Sequence, residues 1–144
     1  MLGKTSEYAI RALVYIYIQN QDKKRPGFRE IAENIDSPGQ FTAKILQGLT
    51  RMGLVASAKG RGGGFFFRDP AAPLTLFRVI QVTEGDGFFT RCGFGLTRCD
   101  KEHPCPLHND YSVIRDKYYR LVTRETIQSL ARKINNREAV LTRK

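Results

Sequence analysis

The chain is short of several things, and each shortage excludes something. Among its 144 residues no apolar run approaches the roughly 20 needed to cross a bilayer, so no membrane partner is expected. The start of the chain lacks the basic residues, long apolar stretch and small-residue cleavage site of a secretory signal, which makes a cytoplasmic location the expectation. Cysteine is present three times, an odd number that cannot close a disulfide framework within one chain and is in keeping with reduced thiols. Histidine occurs only twice, and no nucleophile is grouped with a base and an orienting residue, so an enzyme is not expected. Carboxylates are missing altogether from residues 37–68, which hold Lys44, Arg51, Lys59, Arg61 and Arg68. A stretch of that kind is what a phosphate-facing surface requires.

What is present is mostly positive charge. The formal net charge is +10, from 24 Lys and Arg against 14 Asp and Glu. A surplus of this size calls for an anionic partner, with duplex DNA the first candidate. It is unevenly distributed: residues 1–69 carry 11 basic and 6 acidic groups, residues 70–108 carry 4 of each, and residues 109–144 carry 9 and 4. All three cysteines fall in the neutral middle. Hydrophobic residues make up 41% and charged residues 26%, an ordinary globular composition.

Periodicity predicts a first helix over residues 5–19, capped by Thr5 or Ser6, with Ala9, Ala12, Leu13 and Ile16 on one face. A second helix is predicted over Phe28–Ile35. A third follows Ser37 as cap and Pro38, with Phe41, Ile45, Leu49 and Met52 as its buried stripe. The period then becomes strand-like at Leu54–Ala58 and Phe65–Phe67, around the basic glycine turn Lys59-Gly60-Arg61-Gly62-Gly63-Gly64. Three helices and such a hairpin give a mainly α fold, a winged helix-turn-helix DNA-binding domain over 1–84. Its expected DNA contacts are Ser37, Gln40, Thr42, Ala43 and Lys44 around the third helix, and Lys59, Arg61, Gly62 and Gly63 on the wing. The glycine turn is not a nucleotide loop, since it lacks the Lys-Ser/Thr pair and no helix follows it. Thr75 caps a fourth predicted helix, through about Thr83. Residues 85–108 form a cysteine-containing loop, residues 109–134 a long dimerisation helix and a short successor, and residues 135–144 a basic tail expected to be frayed. The long helix has Tyr111, Ile114, Tyr118, Leu121 and Val122 spaced for one face, and a second copy of the chain is the expected partner for it.

Cys92, Cys99 and Cys105 lie within 14 residues of one another, together with His103 and His108. Cysteines that merely fill a core scatter among helices, and these do not. Thiolates suit zinc or an iron–sulfur cluster. Structural zinc normally uses Cys-x-x-Cys pairs, absent here, and the wider spacing suits a cluster. A fourth ligand could be His108, or an oxygen donor such as Glu7. Two alternatives stand beside the cluster: a metal-free regulator acting through thiol oxidation, and a zinc-stabilised DNA-binding module.

The chain resembles the Rrf-type family of bacterial winged-helix regulators, which includes iron–sulfur cluster regulators and nitric-oxide-sensitive repressors. The resemblance rests on Tyr8-Ala-Ile-Arg-Ala-Leu13, Arg29-Glu-Ile-Ala32, Phe41-Thr-Ala-Lys-Ile-Leu-Gln-Gly-Leu49, Lys59-Gly-Arg-Gly-Gly-Gly-Phe65, Thr75-Leu-Phe-Arg-Val-Ile80 and Cys105-Pro-Leu-His108. It implies a homodimeric DNA-binding regulator carrying an iron–sulfur cluster, 2Fe-2S or 4Fe-4S, with Cys92, Cys99 and Cys105 as ligands. It also implies a fourth ligand that is a His in one branch, at His108, and an acidic residue of the partner's first helix in another, at about Glu7. Nitric oxide or oxygen acting on the cluster is the implied signal. The gap of six residues between Cys92 and Cys99 departs from the more usual five.

Overall fold

The computed structural model describes residues 2–143; the outermost residues of the first and last expected segments lie outside them. Its frame is helix α1, Lys4–Gln21. Ala9, Ala12, Leu13 and Ile16 are buried as the spacing predicts, and Ile10, Val14 and Tyr15 are buried too, because α1 is enclosed on most sides. Around it pack α2 (Phe28–Ile35), α3 (Gly39–Arg51), α4 (Leu76–Glu84) and α6 (Ile127–Asn135). Helix α5, His108–Arg124, leans on α4. The core is aliphatic, with Leu13, Ile16, Ile31, Ile35, Leu46, Leu49, Val79, Ile80, Val122 and Ile127 all sealed from solvent.

Both caps proposed for α1 are corrected. Gly3 precedes the helix, and Ser6 is turned inward, where its hydroxyl lies 2.6 Å from Thr83 Oγ1 and donates to Glu84 Oε2 at 2.8 Å. The Glu84 carboxylate also accepts the Gly3 N–H at 3.3 Å. A carboxylate from the end of α4 thus meets the unpaired amides that open α1, where the helix dipole favours negative charge.

In α3 the cap moves by one residue. Pro38 is the extended residue before the helix, and the Ser37 hydroxyl pairs with that of Thr42. The buried stripe is Thr42, Ile45, Leu46 and Leu49, whereas Met52 is half exposed and Phe41 packs edge-on against Tyr8. Strands β1 (Ala56–Ala58) and β2 (Gly64–Phe66) pair antiparallel, Ala56 opposite Phe66 and Ala58 opposite Gly64. The hairpin does not hang free. Phe65 N–H donates to the Pro26 carbonyl at 2.9 Å, and the Asn20 side chain at the end of α1 accepts from Phe67 N–H and donates to the Lys24 and Phe65 carbonyls. Gly64 makes this possible: a Cβ there would stand 2.1 Å from the Arg25 carbonyl oxygen, and its φ of +140 suits no other residue.

Thr75 caps α4 as its sequence predicts, accepting from Arg78 N–H at 3.2 Å. Thr126 caps α6 reciprocally with Ser129. The two helix starts are knitted together: Leu76 N–H donates to Glu125 O at 3.0 Å and Ile127 N–H to Leu74 O at 2.8 Å. Gln128 adds bonds to Leu74 N–H and the Ala72 carbonyl. Described residues of the tail have partners on the fold. Leu141 packs on the core, and Asn135 donates to Gln21 at 2.9 Å, because the tail finds the α1–α6 face to lie on.

Ile127→Ala should lower stability by about 2–5 kcal/mol, since its side chain is sealed in the core. Thr126→Ala removes only a cap and should cost about 1 kcal/mol. Urea unfolding midpoints measure both, and equal losses would contradict this account of the α6 anchor.

Candidate nucleic-acid interface and cysteine site

The solvent face of α3 carries Gln40, Lys44, Gln47 and Arg51, with Ala43 half-buried beside them. Their spacing, four, three and four residues, places all four on one helical face. Gln47 and Arg51 are absent from the sequence-based set, although that spacing was available as a signal. Thr42 is corrected: it is 1% exposed, its hydroxyl donates to the Pro38 carbonyl at 2.8 Å, and its role is to close the helix-turn-helix corner. Ser37 is half-buried as Thr42's partner. On the wing, Lys59, Arg61 and Gly62 are exposed at the tip, and Gly63 folds back, its N–H bonded to the Gly60 carbonyl at 3.0 Å.

The cysteine loop begins after a short 3-10 turn, Asp86–Phe89, and ends at α5. An aromatic cluster ties its start to the middle of α5. Phe77 of α4, Phe88 and Phe89 of the turn, and Tyr118 and Tyr119 of α5 meet with ring centroids 4.8–6.4 Å apart, mostly edge-on or tilted. Burial first, and then the nearby Glu84 and Glu7 carboxylates, pushes the Tyr118 hydroxyl above the usual tyrosine range. Beyond this anchor the loop lies directly on α5. A Cβ on Gly93 would come within 2.4 Å of the Tyr111 ring, so only glycine allows that approach.

The loop and α5 bring one sulfur and one nitrogen donor together. Cys99 Sγ lies 3.3 Å from His108 Nδ1. All three thiols are partly buried. The Cys92 thiol is held below its ordinary range, chiefly by the Phe94 amide, whose nitrogen is 3.4 Å from Sγ, with the Leu96 amide, Cys105 and the Gly95 amide adding to the effect. Arg115 completes the pocket. The neighbouring Cys99 raises the proton affinity of its guanidinium, and its Nη1 is buried without a partner. Arg115 and Tyr111 were missed from sequence, although His108, Tyr111 and Arg115 share the i, i+3, i+7 spacing of one helical face.

Glu7 is placed apart from this contact, on α1, where its carboxylate pairs with Lys4 at 3.6 Å. His103 is exposed and pairs with Asp100 at 3.1 Å. Among the described residues no three His, Cys, Asp or Glu side chains converge on a point that one metal ion could occupy.

A family model described as Rrf2, iron-dependent transcriptional regulator, matches residues 2–133. The chain is 33% identical over 132 residues to protein aau3 of Rhizobium meliloti (strain 1021), which covers 91% of this chain and 84% of that protein. It is 26% identical over 141 residues to the HTH-type transcriptional regulator NsrR of Oceanobacillus iheyensis, covering 97% and 93%. The solved structure of CymR (YrzC), the global cysteine regulator of B. subtilis, superposes with a TM-score of 0.73 at 17% identity, over 91% of this chain and 95% of that one.

Gly93→Ala should lift the loop off Tyr111 and leave the rest of the fold intact. Thiol titration of the reduced protein under anaerobic conditions should then proceed several-fold faster than in the wild type. An unchanged rate, with an unchanged unfolding midpoint, would show that the loop does not depend on this contact.

Proposed function

We propose that this chain, which belongs to the Rrf2 family of transcriptional regulators, reads duplex DNA as a homodimer and senses through an iron–sulfur cluster held by Cys92, Cys99, Cys105 and His108. It is a regulator, not an enzyme. The observation that carries the cluster reading is the contact of Cys99 with His108, on a loop that also holds Cys92 and Cys105, beside the amide on Cys92 and an arginine with an unpartnered N–H. The spacing of the three thiols, with six and five residues between them, suits a group with more than one metal better than a single tetrahedral zinc. Amides on Cys92 and a guanidinium on Cys99 are what an anionic thiolate-ligated group needs from its surroundings. Such a cluster, when bound, supplies redox chemistry and a target for nitric oxide or oxygen.

The chain's own residues connect this pocket to the DNA-facing surface. Arg91 in the loop donates to the Glu84 carbonyl at 3.2 Å, and the Glu84 carboxylate holds Gly3 and Ser6 at the start of α1. At the other end of α1, Asn20 holds the wing. A change in loop conformation therefore acts on the helix that positions both α3 and the hairpin. The dimer would form along α5, where Val113 and Ile114 are each 54% exposed and Tyr119 and Leu121 stand beside them. A two-fold dimer sets two recognition helices about 34 Å apart, and a few ångströms of error would cost several contacts at once. Lys44 and Arg61 supply phosphate and groove contacts in this reading.

One observation favours a second reading, a metal-free regulator acting through thiol oxidation: the Phe94 amide lies on Cys92 Sγ and favours its thiolate.

Anaerobic purification with an absorption spectrum and iron and sulfide counts separates these readings. Coloured protein with iron and sulfide is expected; colourless protein with free thiols would favour the second reading, and stoichiometric zinc would defeat both. Cys92→Ala, Cys99→Ala, Cys105→Ala and His108→Ala should each lose the visible absorption, and Glu7→Ala should keep it. Loss in Glu7→Ala with retention in His108→Ala would reverse the fourth-ligand assignment. Arg61→Ala should lower the salt slope of duplex binding by about one unit, and an unchanged slope would remove Arg61 from the phosphate contacts.

A further inference from the structure

The connection between α1 and α2 contains Lys23, Lys24 and Arg25, a basic run that the expected DNA contacts leave out. All three side chains are exposed. The fold sets this run against the wing at close range: Pro26 O receives the Phe65 N–H, the Asn20 side chain donates to the Lys24 and Phe65 carbonyls, and Gly64 leaves no room for a side chain beside Arg25. The wing and the connection therefore form one rigid body.

Phe66 holds two arginines on that body. The Arg25 guanidinium carbon is 3.9 Å from the ring centroid, and that of Arg68 is 5.9 Å from it. Stacking on an aromatic face orients a guanidinium and leaves its in-plane N–H donors open, the arrangement that phosphate recognition uses. Among the described residues none of Lys23, Lys24, Arg25 and Arg68 enters an ion pair. Two acids border the patch, Asp22 and Asp69, and Asp69 accepts the Ala71 N–H at 3.3 Å. With Lys59 and Arg61 on the same hairpin, six basic side chains face those two.

We infer that Arg25 and Arg68, stacked at Phe66 and flanked by Lys23 and Lys24, form a second phosphate-binding surface that grips the duplex backbone beside the wing. Its partner is double-stranded DNA, argued from its continuity with the hairpin whose tip carries Lys59 and Arg61. The inference rests on the DNA-binding reading of the chain and does not depend on the cluster. The contact is to backbone, so it should raise affinity for every sequence alike.

The test is fluorescence anisotropy with a random-sequence 40-base-pair duplex across a salt series, on the full chain. R25Q/R68Q should lower the slope of log affinity against log salt by about two units, close to the effect of K59Q/R61Q. R25K/R68K keeps the charge and should keep most of the slope. An unchanged slope in R25Q/R68Q, with a reduced one in K59Q/R61Q, overturns this surface and leaves DNA binding by the wing intact. An equal loss in R25K/R68K also overturns it, because a variant that keeps both charges and still loses the slope has lost local structure and not a phosphate contact. If R25Q/R68Q instead loses binding to phosphatidylglycerol vesicles while its duplex slope is unchanged, the surface serves a membrane and the inference fails. A wild-type protein with no salt-dependent duplex affinity would sink the DNA-binding reading itself.

Discussion

Everything in this molecule depends on the burial of α1. An 18-residue helix spans about 27 Å, and here it is covered by α2 and α3 on one side and by α4 and α6 on the other. A helix so enclosed cannot bend or slide without disturbing each neighbour, because interiors are close-packed. Its two ends are also where the functional parts attach. Glu84 ties the start to the segment leading into the cysteine loop, and Asn20 ties the finish to the wing. Distance between the thiols and the hairpin is thus bridged by a single stiff element whose position both ends share.

Charge and chemistry divide the surface around that element. Carboxylate-free sequence covers α3 and the hairpin, so neither carries an acid of its own against its basic side chains. The thiol pocket is the reverse case, in which a guanidinium and several amides surround groups that become anionic. The first surface needs exposure to meet phosphate, and the second needs shelter from water. Gly93 lays the loop against Tyr111 of α5, and the aromatic cluster holds the turn from which the loop departs.

Much of this was legible in the sequence, for identifiable reasons. Helices announced by a strong period and a local stop, such as Phe28–Ile35 and the Thr75-capped α4, are found where the pattern placed them. Clustered cysteines announced the loop. What escaped was long-range. Ser6 looks like a cap until Glu84, 78 residues away, is brought beside it. Thr42 looks like a surface residue because threonine is polar, yet its hydroxyl is satisfied by Pro38 and Ser37 inside the corner. Arg115 reads as one more positive residue on a polar helix until the loop folds over it. Polar side chains that find partners inside the fold carry no mark of that in their own neighbourhood.

The pairing of the α4 and α6 starts bears on how separable the two activities are. Along the chain, the DNA-facing segment and the thiol segment follow one another and look like exchangeable modules. In space they are not. Leu74 and Leu76 complete their backbone bonding only with Ile127 and Glu125, and Ile127 and Ala131 fill the same core as Leu13 and Ile80. The C-terminal helix is structural material for the N-terminal domain, so neither half has an interior of its own. Recombination that swapped one sensing loop for another between Glu84 and His108 would keep this shared interior, whereas an exchange of everything after Glu84 would have to rebuild it.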